Sequence, residues 1–136
     1  MTVSGAPAPT PSPSPAELRA RVEGYVAAVN GRDPDALAAL FAEDALQADP
    51  ASAPPNVGRD AIRAFFAASI GASRAWTFTA GRVHTCADHA AIDFRIEIDL
   101  DGAVTTIAGI EVFTFEPGGL IRSVHAYWDD ADVTVS

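Results

Sequence analysis

The stretch AIDFRIEIDLDGAVTTIAGIEVFTF, residues 91–115, decides the predicted fold of this chain. From Ile92 to Leu100 every second residue is apolar, and the residues between them are charged. This period of two is typical of a β-strand that buries one face and exposes the other. The Asp-Gly dipeptide at 101–102 is a strong signal for a tight turn, and the apolar run that follows can pair back against the first strand. The stretch therefore predicts an antiparallel β-hairpin.

Two flanking segments extend this hairpin into a larger sheet. WTFTAGRVHTC, residues 76–86, is rich in β-branched and aromatic residues and is predicted to form one strand, with Gly81 marking a bend or bulge. EPGG, residues 116–119, predicts a second turn, and LIRSVHAYW, residues 120–128, predicts the last strand. The second half of the chain is therefore expected to be a meander of strands.

The first half of the chain shows helical periodicity instead. SPAE, residues 14–17, has the composition of a capping box with proline at the first helical position, and Asn-Gly at 30–31 ends the predicted helix. A second helix is predicted over DPDALAALF, residues 33–41, with its first aspartate as the cap and Phe41 on its inner face. A third helix is predicted over RDAIRAFFAASI, residues 59–70.

The segments around these helices predict less regular structure. A short extended piece is expected from Leu46 to Asp49, and the loop DPASAPPNVG, residues 49–58, contains three prolines and is expected to be irregular. Residues 1–13, MTVSGAPAPTPSP, carry almost no large side chains and predict a disordered tail. One domain is then expected over residues 14–136.

Helices followed by a strand meander indicate the α+β class, in which three N-terminal helices pack on one face of a curved antiparallel sheet. A sheet of this kind, covered by helices, has a concave side. That hollow is a natural place for a small-molecule site.

Composition narrows the classes of partner. The chain has 18 acidic residues against 9 arginines and no lysine, a net charge of −9, which argues against nucleic acid and against an anionic membrane surface. No window is apolar for long enough to span a bilayer, and the N-terminus lacks the pattern of a secretory signal. Cys86 is the only cysteine, so no internal disulfide is possible, and a reducing cytoplasmic location is expected.

Three ionisable residues are candidates for a chemical role. Glu111 is embedded in an apolar run, where it could either be a buried, uncharged carboxyl or lie on the exposed side of a half-buried strand. Tyr25 lies on the apolar face of the first helix, where its hydroxyl would need a hydrogen-bonding partner. Asp49 precedes Pro50 at the mouth of the proline-rich loop, a position typical of a turn. Each residue taken alone is also compatible with a purely structural role.

In this order along the chain, the same segments resemble the ketosteroid isomerase (steroid delta-isomerase) family of the nuclear transport factor 2-like superfamily. The resemblance covers residues 16–133. The stretches that carry it are YVAAVNGRDPDALAALFAEDALQADP, PPNVGRDAIRAFF, DFRIEI and IEVFTFEPGGLIRSVHAYW. It implies a cone-shaped fold with a curved mixed or antiparallel sheet.

The resemblance also implies an activity and a site. Asp49 falls on the general base of the family, and Tyr25 and a protonated Glu111 fall on the two donors to the oxyanion. The expected reaction moves a carbon–carbon double bond into conjugation with a ketone, a steroid by analogy, without a metal or an organic cofactor. A homodimer formed through the exposed side of the sheet is also implied. The residues assigned to the apolar walls of the substrate pocket are Val29, Phe65, Phe94 and Trp128.

This sequence departs from the family pattern at three positions. Glu111 stands in place of an aspartate, and Phe41 and Phe66 stand where some members carry tyrosines. Two alternatives therefore stay open beside the isomerase: another enzyme of the same fold, such as a polyketide cyclase-like or dehydratase-like catalyst, and a non-catalytic carrier of a hydrophobic ligand.

Overall fold

The structure is a computed structural model, and it describes residues 11–136. The predicted disordered tail, residues 1–13, falls largely outside these residues, and residues 11–14 have no regular secondary structure. Over the described range, no helix combines the length and the apolar character needed to cross a membrane.

Within residues 11–136, three α-helices and one short 3₁₀-helix precede or interrupt the strands. The α-helices are α1 (Pro15–Gly31), α2 (Pro34–Ala38) and α3 (Arg59–Ala72), and the 3₁₀-helix is Asp130–Asp132. The predicted capping box is present at the start of α1, where the Ser14 hydroxyl accepts from the Glu17 amide.

In the part of the chain that the structure describes, eight strands form one sheet. They are β1 (Phe41–Ala48), β2 (Asn56–Val57), β3 (Ala75–Ala80), β4 (His84–Cys86), β5 (His89–Leu100), β6 (Ala103–Phe115), β7 (Ile121–Tyr127) and β8 (Val133–Val135).

The sheet is mixed, and its order is β2-β1-β7-β6-β5-β3, with β4 also on β5 and β8 also on β6. The β5–β6 hairpin turns at residues 101–102, where both residues have positive φ, as the Asp-Gly signal predicts. Among the described strands, β1 and β7 are the one pair that runs parallel. Helix α1 packs on β3, β4 and β5, and α3 packs on β1 and β2, so the helices cover one side of the sheet. The predicted α+β fold with a mixed sheet is confirmed.

The second helix is shorter than predicted. It ends at Ala38, and Phe41 begins strand β1 instead of completing the helix. Phe41 is nonetheless fully buried, as its apolar pattern required. Its strand conformation comes from parallel pairing with β7, where Phe41 lies opposite Ile121. A contact between residues so distant in sequence leaves no local signal.

Other strand boundaries also differ from the predictions. Residues 76–86 form two strands, β3 and β4, because the chain leaves the ladder over residues 81–83 near the glycine that signals a bend. The proline-rich loop contributes the two-residue strand β2, and β8 extends the sheet at the C-terminus, where no strand was predicted. These short strands depend on pairing with β1 and β6 and have no period of their own.

The side chain of Asn30 fastens α1 to the free edge of the sheet. Its amide donates to the Phe78 carbonyl (2.9 Å) and accepts from the Phe78 amide (2.7 Å), as a neighbouring strand would. The Asn-Gly pair was predicted only to end the helix. Its asparagine also satisfies the backbone of edge strand β3, which positions the helix above the concave face.

The backbone of β6 approaches its neighbours most closely at Gly109. A methyl group at this position would meet the Tyr127 carbonyl oxygen, and would lie 3.1 Å from the Trp128 Cβ and 3.2 Å from a ring carbon of Phe94. Because Gly109 has no side chain, the backbone at Tyr127 and Trp128 can lie directly against β6.

We expect Gly109→Ala to lower the free energy of unfolding by about 1–3 kcal/mol, because the added methyl group has no space and the neighbouring backbone must move. The matched control is Gly24→Ala, at an exposed position inside α1 with no atom near the added methyl group. This control should gain about 0.5–1 kcal/mol. Urea unfolding followed by circular dichroism measures both changes, and equal effects of the two substitutions would contradict the crowding at Gly109.

Candidate functional site

A cavity of about 210 Å³ lies between the helices and the concave face of the sheet. Its lining is mostly apolar, with two carboxyl groups and one phenol. All seven residues predicted for the site line this one cavity: Tyr25, Val29, Asp49, Phe65, Phe94, Glu111 and Trp128.

Strand register places the Glu111 side chain inside. Glu111 pairs with Ile92 on β5 and with Ala126 on β7, and all three residues are buried, so this row of side chains points toward the helices. Its neighbour Ile110 points the other way and is 43% exposed. Of the two readings that the sequence left open for Glu111, the structure supports the buried carboxyl, which is 4% exposed.

Tyr25 reaches the same part of the cavity from α1. Its ring makes an edge-on contact with Phe113, with ring centroids 5.1 Å apart, and similar contacts with Phe41 and Phe78. The Glu111 carboxyl is close enough to raise the pKa of the Tyr25 hydroxyl. An aromatic cage thus fixes the ring and holds the hydroxyl near the buried carboxyl.

The parallel pairing of β1 and β7 brings Asp49 next to Trp128. Ala48 lies opposite His125, and because the two strands are parallel, their C-terminal ends lie side by side. The Trp128 indole N–H donates to Asp49 Oδ1 over 2.7 Å. The sequence predicted only an apolar wall at Trp128, and its polar contact with Asp49 was missed. A contact across 79 positions of sequence leaves no local pattern.

The surroundings of the two carboxyl groups affect their pKa values differently. Burial, together with the nearby Asp49 carboxylate, raises the pKa of Glu111 to about 8, while the Tyr25 hydroxyl opposes this rise. Burial also raises the pKa of Asp49, but the indole N–H of Trp128 favours its charged form and limits this rise. Burial, together with the two nearby acids, raises the pKa of Tyr25 well above its ordinary value. At neutral pH, Glu111 and Tyr25 therefore both carry protons.

Several lining residues had no role in the sequence predictions. The alternation of side chains along β3 and β5 could have identified four of them. Trp76 and Phe78 face inward on β3, and Ile96 and Ile98 lie on the same inward face of β5 as Phe94. The remaining cavity residues outside the predicted set are Phe66, Ser69 and Ile107.

The two phenylalanines that depart from the family pattern are both buried near Tyr25. Phe41 contacts its ring edge-on, with centroids 6.4 Å apart, and Phe66 in turn packs against Phe41. Neither ring can accept from or donate to the Tyr25 hydroxyl. The polar side chains that influence this phenol are the two carboxyl groups of Glu111 and Asp49, both of which raise its pKa.

Comparison with known proteins agrees with this architecture. Residues 22–124 match the SnoaL-like domain. A steroid delta-isomerase from Nocardioides simplex is 39% identical over 121 residues, which cover 89% of this chain and 97% of that protein. The resemblance to the steroid delta-isomerases is thereby confirmed at the level of sequence.

Two solved structures share the fold. The epoxide hydrolase/cyclase-like enzyme SalBIII, described for its role in pyran ring formation in the polyether salinomycin, superposes with a TM-score of 0.82 at 28% identity, covering 89% of this chain and 97% of that one. The protein RV0760c from Mycobacterium tuberculosis also gives a TM-score of 0.82, at 21% identity, with coverage of 92% and 100%. The second comparison bears on the fold alone.

The raised pKa of Glu111 predicts a pH-dependent stability. As pH rises above the ordinary value of 4.5, the unfolded chain loses this proton while the folded chain keeps it until about pH 8. The free energy of unfolding should therefore fall across this window, by up to ~1.4 kcal/mol per pH unit. Glu111→Gln removes the titrating group and should flatten the slope, which urea unfolding at a series of pH values measures.

The control for this experiment is Glu43→Gln, which changes an exposed carboxyl on β1. It should keep the slope of the unmodified protein. A Glu111→Gln variant whose slope equals that of the unmodified protein would contradict the burial of an uncharged carboxyl at this position.

Proposed function

This chain belongs to the SnoaL-like family of the nuclear transport factor 2-like superfamily, and we propose on that basis that it is an isomerase of a hydrophobic cyclic ketone, a steroid by analogy. The reaction would move a double bond into conjugation with the carbonyl group. The observation that carries the proposal is the meeting of a carboxylate, a phenol and an uncharged carboxyl in one apolar cavity.

In this proposal Asp49 is the general base. It removes a proton from the carbon between the carbonyl and the alkene, and the electron pair of that C–H bond moves toward the carbonyl oxygen to give a dienolate. Asp49 then returns the same proton to the far end of the former alkene, which leaves the conjugated enone. The hydrogen bond from Trp128 supports this role, because it orients the carboxylate and favours its charged form before substrate binds.

Tyr25 and Glu111 are the proposed donors to the oxygen on which charge develops. Both carry a proton at neutral pH, both line the same cavity, and each influences the pKa of the other. A carbonyl oxygen placed between them could accept from both. Donors fixed in a cavity with little water need not reorganise during the reaction, and one such donor typically contributes about 10²- to 10³-fold in rate.

The apolar side chains around these groups favour a rigid hydrocarbon substrate. Phe94 and Phe78 are stacked with centroids 5.6 Å apart, and Phe65 contacts Phe66 edge-on on the helical side of the cavity. Flat aromatic faces of this kind suit a fused-ring skeleton. The similar steroid delta-isomerase of Nocardioides simplex supports the same substrate class.

A cyclase is the second candidate, and one observation favours it. Ring closure by epoxide opening needs an acid at the epoxide oxygen and a base at the attacking hydroxyl, and the cavity holds a protonated Glu111 near the carboxylate of Asp49. The structural similarity to SalBIII points in the same direction. We favour the isomerase because Tyr25 adds a second donor beside Glu111, and two donors on one oxygen match an enolate.

The isomerase proposal predicts specific losses of activity. With a Δ5-3-ketosteroid as substrate, the unmodified protein should produce the ultraviolet absorbance of the conjugated enone. Asp49→Asn should lower kcat by about 10²- to 10⁴-fold, because an amide cannot accept the proton. Tyr25→Phe should lower it by about 10²- to 10³-fold through loss of one donor.

The matched control is Asp44→Asn, which changes an exposed carboxylate on β1, the strand that directly precedes the proposed base. This variant should keep the kcat of the unmodified protein. Full activity in Asp49→Asn, or no enone from the unmodified protein, would overturn the proposal. Hydrolysis or closure of an epoxide substrate would then support the cyclase instead.

We also propose a homodimer formed through the outer face of the sheet. Ile110 and Tyr127 are cross-strand partners on this face and are 43% and 53% exposed. The outward residues of β6, and those of β7 from residue 123 to 127, include no Asp, Glu or Arg, whereas β5 presents Asp93, Arg95 and Glu97. A second copy could cover the uncharged part of the face.

Ile110→Lys tests this interface, because it places a charge in the centre of the proposed contact. Size-exclusion chromatography with light scattering should give a dimer for the unmodified protein and a monomer for the variant. The control is Val57→Lys, at an exposed apolar residue on the edge strand β2, which should stay dimeric. A monomer in the unmodified protein would refute the dimer.

A further inference from the structure

Trp76 lies on the wall of the cavity at the end opposite Glu111. We infer that Trp76, held in place by Arg32, closes this far end and sets the longest substrate that the site accepts. The inference rests on the proposed function, since it concerns which ketones fit the cavity and not what happens at their carbonyl group.

Strand register gives the distance between the two ends. Glu111 lies opposite Ile92 on β5, whereas Trp76 lies opposite Ile98 on the same strand. The two positions are six residues apart on β5, which corresponds to roughly 20 Å along a strand and to less where the sheet curves. Ile98 and Trp76 both line the cavity. The cavity thus extends from the proton-bearing groups to the indole.

The indole is fixed both at its edge and on its face. Its N–H donates to the Val29 carbonyl oxygen over 2.7 Å, at the end of α1. The guanidinium group of Arg32 stacks on the ring, 4.7 Å from its centroid. The ring therefore cannot turn aside for a longer ligand without losing a hydrogen bond and a cation–π contact.

Arg32 is itself anchored to the end of α3. Its guanidinium donates to the carbonyl oxygens of Ile70 (3.1 Å) and Ser73 (2.9 Å) and to the Ser73 hydroxyl (3.1 Å). Its backbone N–H donates to the Val29 carbonyl, which also accepts from the indole. One side chain thus joins the ends of α1 and α3 to Trp76, and these elements together form the far end of the cavity.

Selection at this end operates by shape. The adjoining wall is formed by Ile96, Ile98 and Ile107, and the hydroxyl of Ser69 is already engaged with the Phe65 carbonyl over 2.9 Å. A polar group at the far end of a ligand would therefore gain no strong hydrogen bond there. A longer ligand would instead meet the fixed indole.

Three Δ5-3-ketosteroids that differ only at carbon 17 test this inference: one with an oxo group, one with an acetyl group and one with the branched alkyl chain of cholestenone. In the unmodified protein, kcat/KM should fall by about 100-fold from the first to the last. Trp76→Ala removes the indole and should reduce this ratio to less than about tenfold. Arg32→Lys removes the planar stack and the forked donors, so it should also reduce the ratio.

Thr77→Ala is the control, because Thr77 is the next residue on β3 and faces outward. It should keep the ratio of the unmodified protein. A purely structural role of Arg32 would lower Tm without changing the ratio between long and short substrates, and that result would refute its part in the inference.

Binding separates this inference from the proposed isomerase. The three conjugated enones are not converted, so calorimetric titration gives their Kd values whether or not the protein is active. A longest enone that binds the unmodified protein as tightly as the shortest would overturn the length limit. Failure of every unconjugated ketone to react would instead overturn the isomerase and leave the Kd ratio as the test of Trp76.

Discussion

The register of β6 between β5 and β7 is the constraint on which the cavity depends, because the side chains of a strand alternate between its two faces. With Glu111 opposite Ile92 and Ala126, the carboxyl enters the space under the helices and loses water. A shift by one residue would turn it outward and bring Ile110 inside. Desolvation then raises the pKa of the carboxyl, so that it keeps its proton at neutral pH close to the Tyr25 hydroxyl.

The cavity is polar at one end and apolar along the rest of its length. Parallel pairing of β1 and β7 brings Asp49 and Trp128 together at the C-terminal ends of these two strands, on the same cavity as Glu111. At the other end, Arg32 ties two helix ends to the indole of Trp76. A ligand with one polar atom on a rigid hydrocarbon frame has a single favourable orientation in such a space. This asymmetry connects the chemistry proposed at the polar end with the selection by length inferred at the far end.

The accuracy of the sequence predictions follows the range of the interactions behind each element. The Ser14 cap, the turn at residues 101–102 and the alternation along β5 depend on near neighbours, and all three were predicted correctly. Phe41 was predicted as helical but begins β1, because pairing with β7 outweighs local helical preference. Strand β8 was missed for the same reason, since it is stabilised by β6 and not by its own sequence.

The sequence by itself determined the order of helices and strands, the apolar faces that must be buried, and the presence of Glu111 within an apolar run. Its resemblance to a known family also implied which residues form the site. Only the tertiary structure decided that Glu111 faces inward, that Trp128 donates to Asp49 and that Arg32 stacks on Trp76. The physical reason is that local periodicity records which side chains avoid water, whereas the pairing of distant strands and helix ends decides which of those side chains meet.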